Sequence, residues 1–324
     1  MLDTSTRRAF LRHSVFAAAV AAGAFANSQT ATAADAAPER KFKLSLNPGM
    51  LGIRANLKDC LALASQFGFE AIEPMAGELS KMSDEAIASF NDEMKAKKIV
   101  WGSTAMPNSM NRPDEAFNGW LARLPETAVA LRKAGATRIG TWLTPGDNQM
   151  TYVENFRRQA KHLAETAKVF EDNGIALGLE YLGPKTMRAR MKYPFAHTMR
   201  EMRELIAESG AKNVGLMLDS WHWFNSSETP ADIKALTNKD VVFVHINDAP
   251  AGIPLDQQVD NHRALPATTG VIDIGGFLGA LIAIGYDGPA ACEPFDTSLG
   301  RMPREQACKL AVDAFHNAMS KVKA

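Results

Sequence analysis

Residues 152–180 read YVENFRRQAKHLAETAKVFEDNGIALGLE, and this stretch shows the pattern on which the fold prediction rests. Apolar residues recur in its first part at steps of three and four, which is the spacing of one face of an α-helix. They are Val153, Phe156, Ala160, Leu163, Ala167 and Phe170. The pair Asn173-Gly174 predicts the helix end, because both residues tolerate the left-handed conformation common there. The run Ile175–Glu180 then predicts a short strand that ends in an acidic residue.

The same alternation of strand and helix occurs eight times after Pro38. The predicted strands are Phe42–Leu46, Ala71–Glu73, Ile99–Ser103, Arg138–Leu143, Ile175–Glu180, Val214–Asp219, Val241–Ile246 and Ala290–Glu293. The predicted helices are Leu57–Phe67, Ser83–Lys97, Phe117–Lys133, Tyr152–Asp172, Phe195–Glu208, Pro230–Thr237, Gly276–Ile284 and Arg304–Val322. Single helices between strands indicate parallel β-α-β units. We therefore predict an α/β fold, a single (β/α)8 TIM barrel; no G-x-G-x-x-G follows the first strand to favour a dinucleotide fold.

The composition limits the class of protein. The chain has 324 residues, 36 basic and 36 acidic side chains, and 46% hydrophobic residues, as is typical of a folded globular protein. A formal charge of zero disfavours nucleic acid as a partner, because phosphate contacts require a basic face. The three cysteines show no C-x-x-C spacing, so we expect buried free thiols and neither a disulfide framework nor a thiolate zinc site.

The first 33 residues predict an export signal. The pair Arg7-Arg8 precedes the apolar run Val15–Phe25 and the small residues Ala31-Thr32-Ala33, and the pattern resembles a twin-arginine (Tat) signal peptide. A general secretory signal is the alternative. The apolar run would span about 16 Å as a helix, about half of a bilayer core, which disfavours a stable membrane anchor. We expect a signal peptide over 1–33, one barrel domain over 34–324, and a periplasmic or secreted protein.

Four predicted strands place an ionisable side chain at their last inward position. These residues are Glu180, Asp219, His245 and Glu293. Because side chains alternate along a strand, each shares a face with the residue two positions earlier. The earlier residues are Gly178, Met217, Phe243 and Ala291. We therefore expect the four ionisable side chains to point into the mouth of the barrel.

Three carboxylates that converge on one opening would repel each other and lose their solvation. A divalent cation removes both problems, and oxygen ligands with one imidazole suit Mn²⁺, Mg²⁺ or Co²⁺ better than a sulfur-preferring metal. The alternative for each residue is a structural role, as a carboxylate that caps a helix or a histidine that is hydrogen-bonded in the core.

Four segments around these residues carry a resemblance. They are Gly178-Leu179-Glu180, Asp219-Ser220-Trp221-His222, Phe243-Val244-His245-Ile246-Asn247-Asp248 and Cys292-Glu293-Pro294-Phe295. The chain resembles the sugar phosphate isomerase/epimerase family, the xylose isomerase-like barrels that include ketose 3-epimerases, inosose dehydratases and hydroxypyruvate isomerases. The resemblance covers essentially the whole mature chain. It implies one divalent metal held by Glu180, Asp219, His245 and Glu293, and the donor set makes Mn²⁺ our first expectation. It also implies that the two glutamates move protons on opposite faces of the substrate.

The resemblance also implies residues that contact the substrate. His222, three residues after the aspartate, is implied to hold substrate oxygens, and Arg263 matches an arginine in the loop after the histidine strand. Glu73, at the end of the second strand, and His197, near a helix start, are further substrate-binding candidates. A structural carboxylate is the alternative for Glu73, and a solvated loop charge is the alternative for Arg263. The aromatic segment around His222 could instead only line the rim of the barrel, and His197 could lie at a helix start without contacting substrate.

The loop after the seventh strand, Asn247–Asp273, is much longer than the usual two to six residues, which is typical of a functional lid. Related sequences often carry Pro-Gly in the lid where this chain has Pro266-Ala267. His162 and His316 lie in the middle of predicted helices, and we interpret both as surface groups.

We expect an exported carbohydrate isomerase or epimerase in which Glu180 and Glu293 move protons beside a carbonyl, through an enediolate that the metal stabilises. A purely ligating role for both glutamates is the alternative. A lyase or hydratase that cleaves 3-keto-glycosides by β-elimination is the first rival activity, because export disfavours phosphorylated sugars. A non-catalytic sugar-binding barrel is the second rival, and the charge balance opposes an abasic-site endonuclease. The expected partners are a small carbohydrate substrate and the Tat translocase; a homo-oligomer is left open.

Overall fold

The structure is a computed structural model that describes residues 39–323. Every strand pairing in its main sheet is parallel. The strands are β1 (Lys43–Leu46), β2 (Ala71–Ile72), β3 (Val100–Trp101), β4 (Thr104–Ala105), β5 (Arg138–Trp142), β6 (Gly146–Asp147), β7 (Ala176–Glu180), β8 (Tyr193–Pro194), β9 (Val214–Asp219), β10 (Val241–Ile246) and β11 (Pro289–Cys292). β6 and β8 form a separate antiparallel pair. The signal peptide predicted over residues 1–33 lies outside the described residues.

The main sheet closes on itself through one interrupted strand. Its order is β3-β2-β1-β11-β10-β9-β7-β5-β4, so β3 and β4 stand at its two ends. Only Gly102 and Ser103 separate these two strands, of which β3 pairs with β2 and β4 pairs with β5. Residues 100–105 therefore act as a single barrel strand that joins both ends of the sheet, and the predicted (β/α)8 TIM barrel is confirmed.

Helices follow the strands along the chain. They are α1 (Leu57–Phe67), α2 (Ala76–Leu79), α3 (Asp84–Ala96), α4 (Asp114–Leu121), α5 (Leu124–Ala134), α6 (Tyr152–Glu171), α7 (Lys185–Arg188), α8 (Met199–Ser209), α9 (Ser220–Asn225), α10 (Pro230–Lys234), α11 (Ile274–Ala283) and α12 (Arg304–Met319). The prediction of one helix over Phe117–Lys133 is wrong, because α4 ends and α5 restarts with Pro125 in its first turn. A proline has no N–H and clashes with the preceding turn, so it favours the start of a helix over its interior.

The interior of the barrel directly below the mouth is filled by Met217, Phe243 and Ala291. Two glycines on the neighbouring strands leave room for the methionine. A Cβ added to Gly140 would come 2.5 Å from Met217 Sδ, and one added to Gly178 would come 3.2 Å from Met217 Cβ. Met217, Phe243 and Ala291 each lie two positions before a predicted ionisable residue of the same strand or its end, so the alternation predicted from the sequence holds in the barrel.

Two residues of helix α6 differ from their predicted exposure. Val153 was predicted on the apolar face but is 54% exposed. His162 was predicted at the surface but is buried: its Nδ1 lies 2.9 Å from Met110 O and its Nε2 lies 3.1 Å from Asp114 Oδ1. The segment after β4 covers this side of α6, and Phe117 stacks on the imidazole. His316, by contrast, is exposed as predicted.

The long loop after β10 is folded around one carboxylate. Asp248 forms an isolated antiparallel bridge with Ala264 through its backbone. Its buried side chain accepts hydrogen bonds from the backbone N–H groups of Ala249, Thr269, Gly270, Val271 and Ile272. Five donors on one carboxylate fix both ends of the segment that carries Arg263.

Cys60, Cys292 and Cys308 are buried free thiols, as the sequence predicted. None of the helices described in residues 39–323 has the length and apolar character required to cross a membrane.

Candidate metal centre

Four ionisable side chains meet at the C-terminal mouth of the barrel. Glu180 and Asp219 end β7 and β9, His245 is the penultimate residue of β10, and Glu293 directly follows β11. One ligand atom from each side chain lies within 4.8 Å of the other three. Glu180, Asp219 and His245 are buried, and 13% of the Glu293 side chain is exposed. The structure thus brings together the four residues that the sequence predicted to converge.

The imidazole of His245 faces all three carboxylates. Its Nδ1 lies 3.2 Å from Glu293 Oε2, 3.4 Å from Glu180 Oε1 and 3.8 Å from Asp219 Oδ2. Among the described residues, neither ring nitrogen of His245 forms a hydrogen bond of acceptable geometry, and neither does Glu180 Oε1. A buried polar atom without a partner costs about 1–3 kcal/mol. The oxygens and Nδ1 form a donor set that fits one divalent cation, so the residues present match the metal implied by the resemblance.

The environment separates the pKa values of the Glu180 and Asp219 carboxyl groups. Burial raises the pKa of Glu180 to about 8, although His245 acts against this. Burial also acts to raise the pKa of Asp219, but Arg263 and His245 outweigh it and hold that pKa well below its usual range. Burial opposes protonation of His245, yet Glu293 and the other carboxylates raise its pKa well above the ordinary value. A bound cation would favour the ionised form of every carboxylate here.

Arg263 supplies a positive charge to the carboxylates. Its Nη1 lies 2.7 Å from both Asp219 Oδ2 and Glu293 Oε2, and its Nη2 lies 2.7 Å from Asp260 Oδ1. The guanidinium also stacks near the Phe295 ring, 4.6 Å from its centroid. The sequence suggested a substrate contact or a solvated loop charge for Arg263. The second alternative is wrong, because the residue is buried, and the ion pairs with two predicted metal ligands were not foreseen.

His222 lies beside this arginine and is buried. The backbone N–H of Gly183 donates to its Nδ1 over 3.3 Å, and Arg263 Nη2 lies 3.3 Å from its Nε2. Burial lowers the pKa of His222 to about 4, so the ring is neutral at ordinary pH. A neutral imidazole has one N–H. Both neighbours are N–H donors, so the single acceptor nitrogen of the neutral ring can satisfy only one of them, and an Nε2–H would point at the Arg263 guanidinium.

The family model described as "Xylose isomerase-like TIM barrel" matches residues 61–317. This chain belongs to the xylose isomerase-like TIM barrel family. The resemblance and the architecture expected from the sequence are thereby confirmed. The chain is 22% identical over 283 residues to an inosose isomerase of Bacillus velezensis, which covers 86% of this chain and 98% of the relative. It is also 28% identical over 144 residues to a 3-dehydroshikimate dehydratase of Pseudomonas aeruginosa, covering 44% of this chain and 21% of that protein.

Solved structures show the same family fold. An IolI protein with a bound zinc atom superposes with a TM-score of 0.72 at 21% identity, covering 87% of this chain and all of that one. A D-psicose 3-epimerase from Clostridium cellulolyticum with D-tagatose superposes with a TM-score of 0.65 at 18% identity, covering 88% and 97%. The names of these relatives match the two activities expected from the sequence, isomerisation or epimerisation first and elimination second.

Glu73 directly follows β2, on the side of the barrel away from β7 and β9. Its Oε1 accepts a hydrogen bond of 2.8 Å from Thr104 Oγ1. Burial raises the pKa of Glu73, and the charge of His245 partly opposes this. A second polar pair on this wall was missed by the sequence analysis: Asn47 accepts from Ser45 Oγ and donates from Nδ2 to Ser103 O, with all three residues buried. The only sequence signal was their position, with Ser45 inside β1 and Asn47 directly after it.

The structure does not join the His197 imidazole to the four converging residues. Its Nδ1 lies 3.3 Å from Glu201 Oε2 and 3.0 Å from Phe195 O, both in its own segment. Its carbonyl accepts a hydrogen bond from Ser226 Oγ, at the end of the helix that carries His222. These contacts give His197 a local role at the start of α8.

Proposed function

We propose that this chain is a divalent-metal-dependent isomerase or epimerase that acts on a polyhydroxylated ketone. The proposal rests on four side chains at the mouth of a xylose isomerase-like barrel, whose ligand atoms lie within 4.8 Å of one another: Glu180, Asp219, His245 and Glu293. The similarity to an inosose isomerase and to a D-psicose 3-epimerase supports a ketone substrate that carries several hydroxyl groups.

Glu180, Asp219, His245 and Glu293 would hold the metal, which would supply the positive charge that polarises a substrate carbonyl and stabilises the resulting enediolate charge. His245 would use Nδ1, the nitrogen that faces the carboxylates. The oxygen-rich donor set favours Mn²⁺, with Mg²⁺ or Co²⁺ as alternatives, while the zinc in the related IolI structure makes zinc a further ion to test.

The two glutamates would move the protons. One carboxylate removes the proton beside the carbonyl, and the other returns a proton to the opposite face, as epimerisation requires. His222, Arg263 and Glu73 would bind substrate oxygens around the mouth. His197 remains a weaker candidate for substrate contact, since its observed contacts are local.

The test is incubation of metal-loaded protein with inososes, free ketoses and 3-keto-glycosides in D₂O, followed by NMR. Deuterium at one carbon of an intact skeleton is expected. The variant Glu180→Gln should stay folded and bind substrate without turnover, and unchanged turnover would refute its proton role. Substrate binding with no exchange by the wild type would instead show a non-catalytic sugar-binding barrel.

A second candidate activity is β-elimination from a 3-keto-glycoside or a related hydroxyketone. The similarity to a 3-dehydroshikimate dehydratase favours it, because the same proton abstraction beside a carbonyl can expel a substituent at the β position. In the NMR experiment, a released aglycone or a dehydrated product would identify this activity.

We also propose that the protein is exported to the periplasm or beyond by the Tat translocase. Residues 1–33 support this through Arg7-Arg8, the apolar run and the small residues before Asp35. Replacement of both arginines by lysine should retain the protein in the cytoplasm in cell fractionation. Normal export of that variant would point to the general secretory route.

A further inference from the structure

The two carboxylate oxygens of Asp219 have different surroundings. Oδ2 faces the mouth, 3.8 Å from His245 Nδ1 and 2.7 Å from Arg263 Nη1. Oδ1 faces away and accepts two hydrogen bonds, from Trp221 N–H over 2.6 Å and from Asn247 Nδ2 over 3.0 Å. An oxygen that already accepts two short bonds has little capacity left for a metal, so Oδ2 is the available ligand atom.

A chain of hydrogen bonds fixes the orientation of the Asn247 amide. The backbone N–H of Asn247 donates to Ser220 Oγ over 3.0 Å, so the serine oxygen acts as an acceptor there. The serine hydroxyl proton is then free to be donated to Asn247 Oδ1, 2.9 Å away. This makes Oδ1 the acceptor end of the amide and turns Nδ2 toward Asp219.

Asp219, Ser220 and Asn247 are all fully buried, so water cannot replace a hydrogen bond that is lost among them. Asn247 also lies two residues after His245, on the same run of chain that leaves β10. The amide therefore connects the backbone that carries one predicted ligand to the carboxylate of another.

We infer that Asn247 is a positioning residue that holds Asp219 for binding a metal through Oδ2 alone, with Ser220 setting the direction of its amide. The inference rests on the metal site of the proposed function. Groups that orient metal ligands through hydrogen bonds typically change metal affinity by about 10- to 100-fold when removed. Loss of the amide frees Asp219 to rotate and leaves its Oδ1 with one donor.

The experiment measures Mn²⁺ affinity by EPR of the free ion, and the absorption spectrum of the Co²⁺-substituted protein. For Asn247→Ala we expect affinity to fall by about 10- to 100-fold and the Co²⁺ spectrum to change, because the ligand geometry relaxes. For Ser220→Ala, which leaves the amide free to reverse, we expect a smaller loss in the same direction. This second variant keeps the test valid if Asn247→Ala does not fold.

The matched control is Asn213→Ala. Asn213 donates from Nδ2 to the carbonyls of Ala167 and Ile175 at the other end of β9, so its loss should lower stability and leave the Co²⁺ spectrum unchanged. Wild-type protein that binds no divalent metal would refute the proposed metal site itself. Wild-type protein that binds metal, with Asn247→Ala equal in affinity and spectrum, would overturn only the role of Asn247.

Discussion

The guanidinium of Arg263 lies 2.7 Å from Asp219 Oδ2, the same oxygen that is available to a metal ion. It lies equally close to Glu293 Oε2. An ion that binds these two oxygens must share them with the arginine or displace it, because two cations in contact with the same oxygen repel each other. We therefore expect Arg263 to weaken metal binding. In the metal-free protein, we expect the arginine to supply the positive charge that stabilises the buried carboxylates.

Arg263→Ala should strengthen divalent metal binding by about tenfold, equivalent to about 1.4 kcal/mol. The same change should lower the free energy of unfolding of the metal-free protein by about 3–5 kcal/mol, because it leaves buried carboxylates without a partner. Calorimetric titration and urea unfolding measure the two effects. Arg200→Ala is the control, since the side chain of Arg200 is 81% exposed and its loss should change neither quantity appreciably. Weaker metal binding by Arg263→Ala would contradict the expected competition.

The metal-free protein should lose stability as the pH rises from 6.5 to 8. Glu180, with a pKa raised to about 8, and His245, with a pKa raised above 6.5, both hold protons in the folded state that the unfolded chain releases. A group whose pKa is higher in the folded state stabilises the folded protein at low pH, and this stabilisation is lost as the pH rises toward the folded-state pKa. His222, with a pKa of about 4, does not titrate in this range.

Urea unfolding at the two pH values should show a fall of roughly 3 kcal/mol, since each of the two retained protons is worth about 1.4 kcal/mol per pH unit at most. Glu180→Gln should reduce the fall, and bound Mn²⁺ should abolish it, because the ion replaces the protons. Burial also raises the pKa of Glu228 to about 7, so this residue contributes to the fall in the same direction. The variant Glu228→Gln measures its share. Stability that increases over this pH range would contradict the assignment.

The packing below the mouth should make position 140 intolerant of any residue larger than glycine. Gly140→Ala places a Cβ 2.5 Å from Met217 Sδ, and overpacking of this kind costs about 1–3 kcal/mol. Because Met217 lies two residues before Asp219, metal affinity should fall as well. The double variant with Met217→Ala should recover affinity relative to Gly140→Ala. Gly119→Ala in helix α4 is the control, with no atom within 4 Å of the added Cβ and an expected gain of about 0.5–1 kcal/mol.

Ala267 occupies a backbone conformation that favours glycine. Its φ is +59°, in the left-handed region, where the Cβ of a non-glycine residue costs about 1–2 kcal/mol. Ala267→Gly should therefore raise the free energy of unfolding by about 0.5–1 kcal/mol after the greater entropy of glycine in the unfolded chain is deducted. A lower stability in urea unfolding would show that the strain is absent.

The sequence predicted the barrel because its evidence was local and repeated. The helical spacing of apolar residues and the short β-rich runs recur eight times, and each unit depends only on residues near each other in the chain. The interruption of α4 and α5 at Pro125 was missed although its cause was in the sequence. The burial of His162 was not visible locally, since it depends on a segment some 50 residues earlier that packs on α6.

The sequence by itself determined that Glu180, Asp219, His245 and Glu293 end inward at one edge of the sheet, because alternation along a strand and the common direction of parallel strands are properties of the chain itself. Only the tertiary structure decided which atoms face each other. The pairing of Arg263 with Asp219 and the orientation of the Asn247 amide join residues from separate loops. Such contacts depend on how the loops pack above the barrel, and residue spacing within one strand carries no information about that packing.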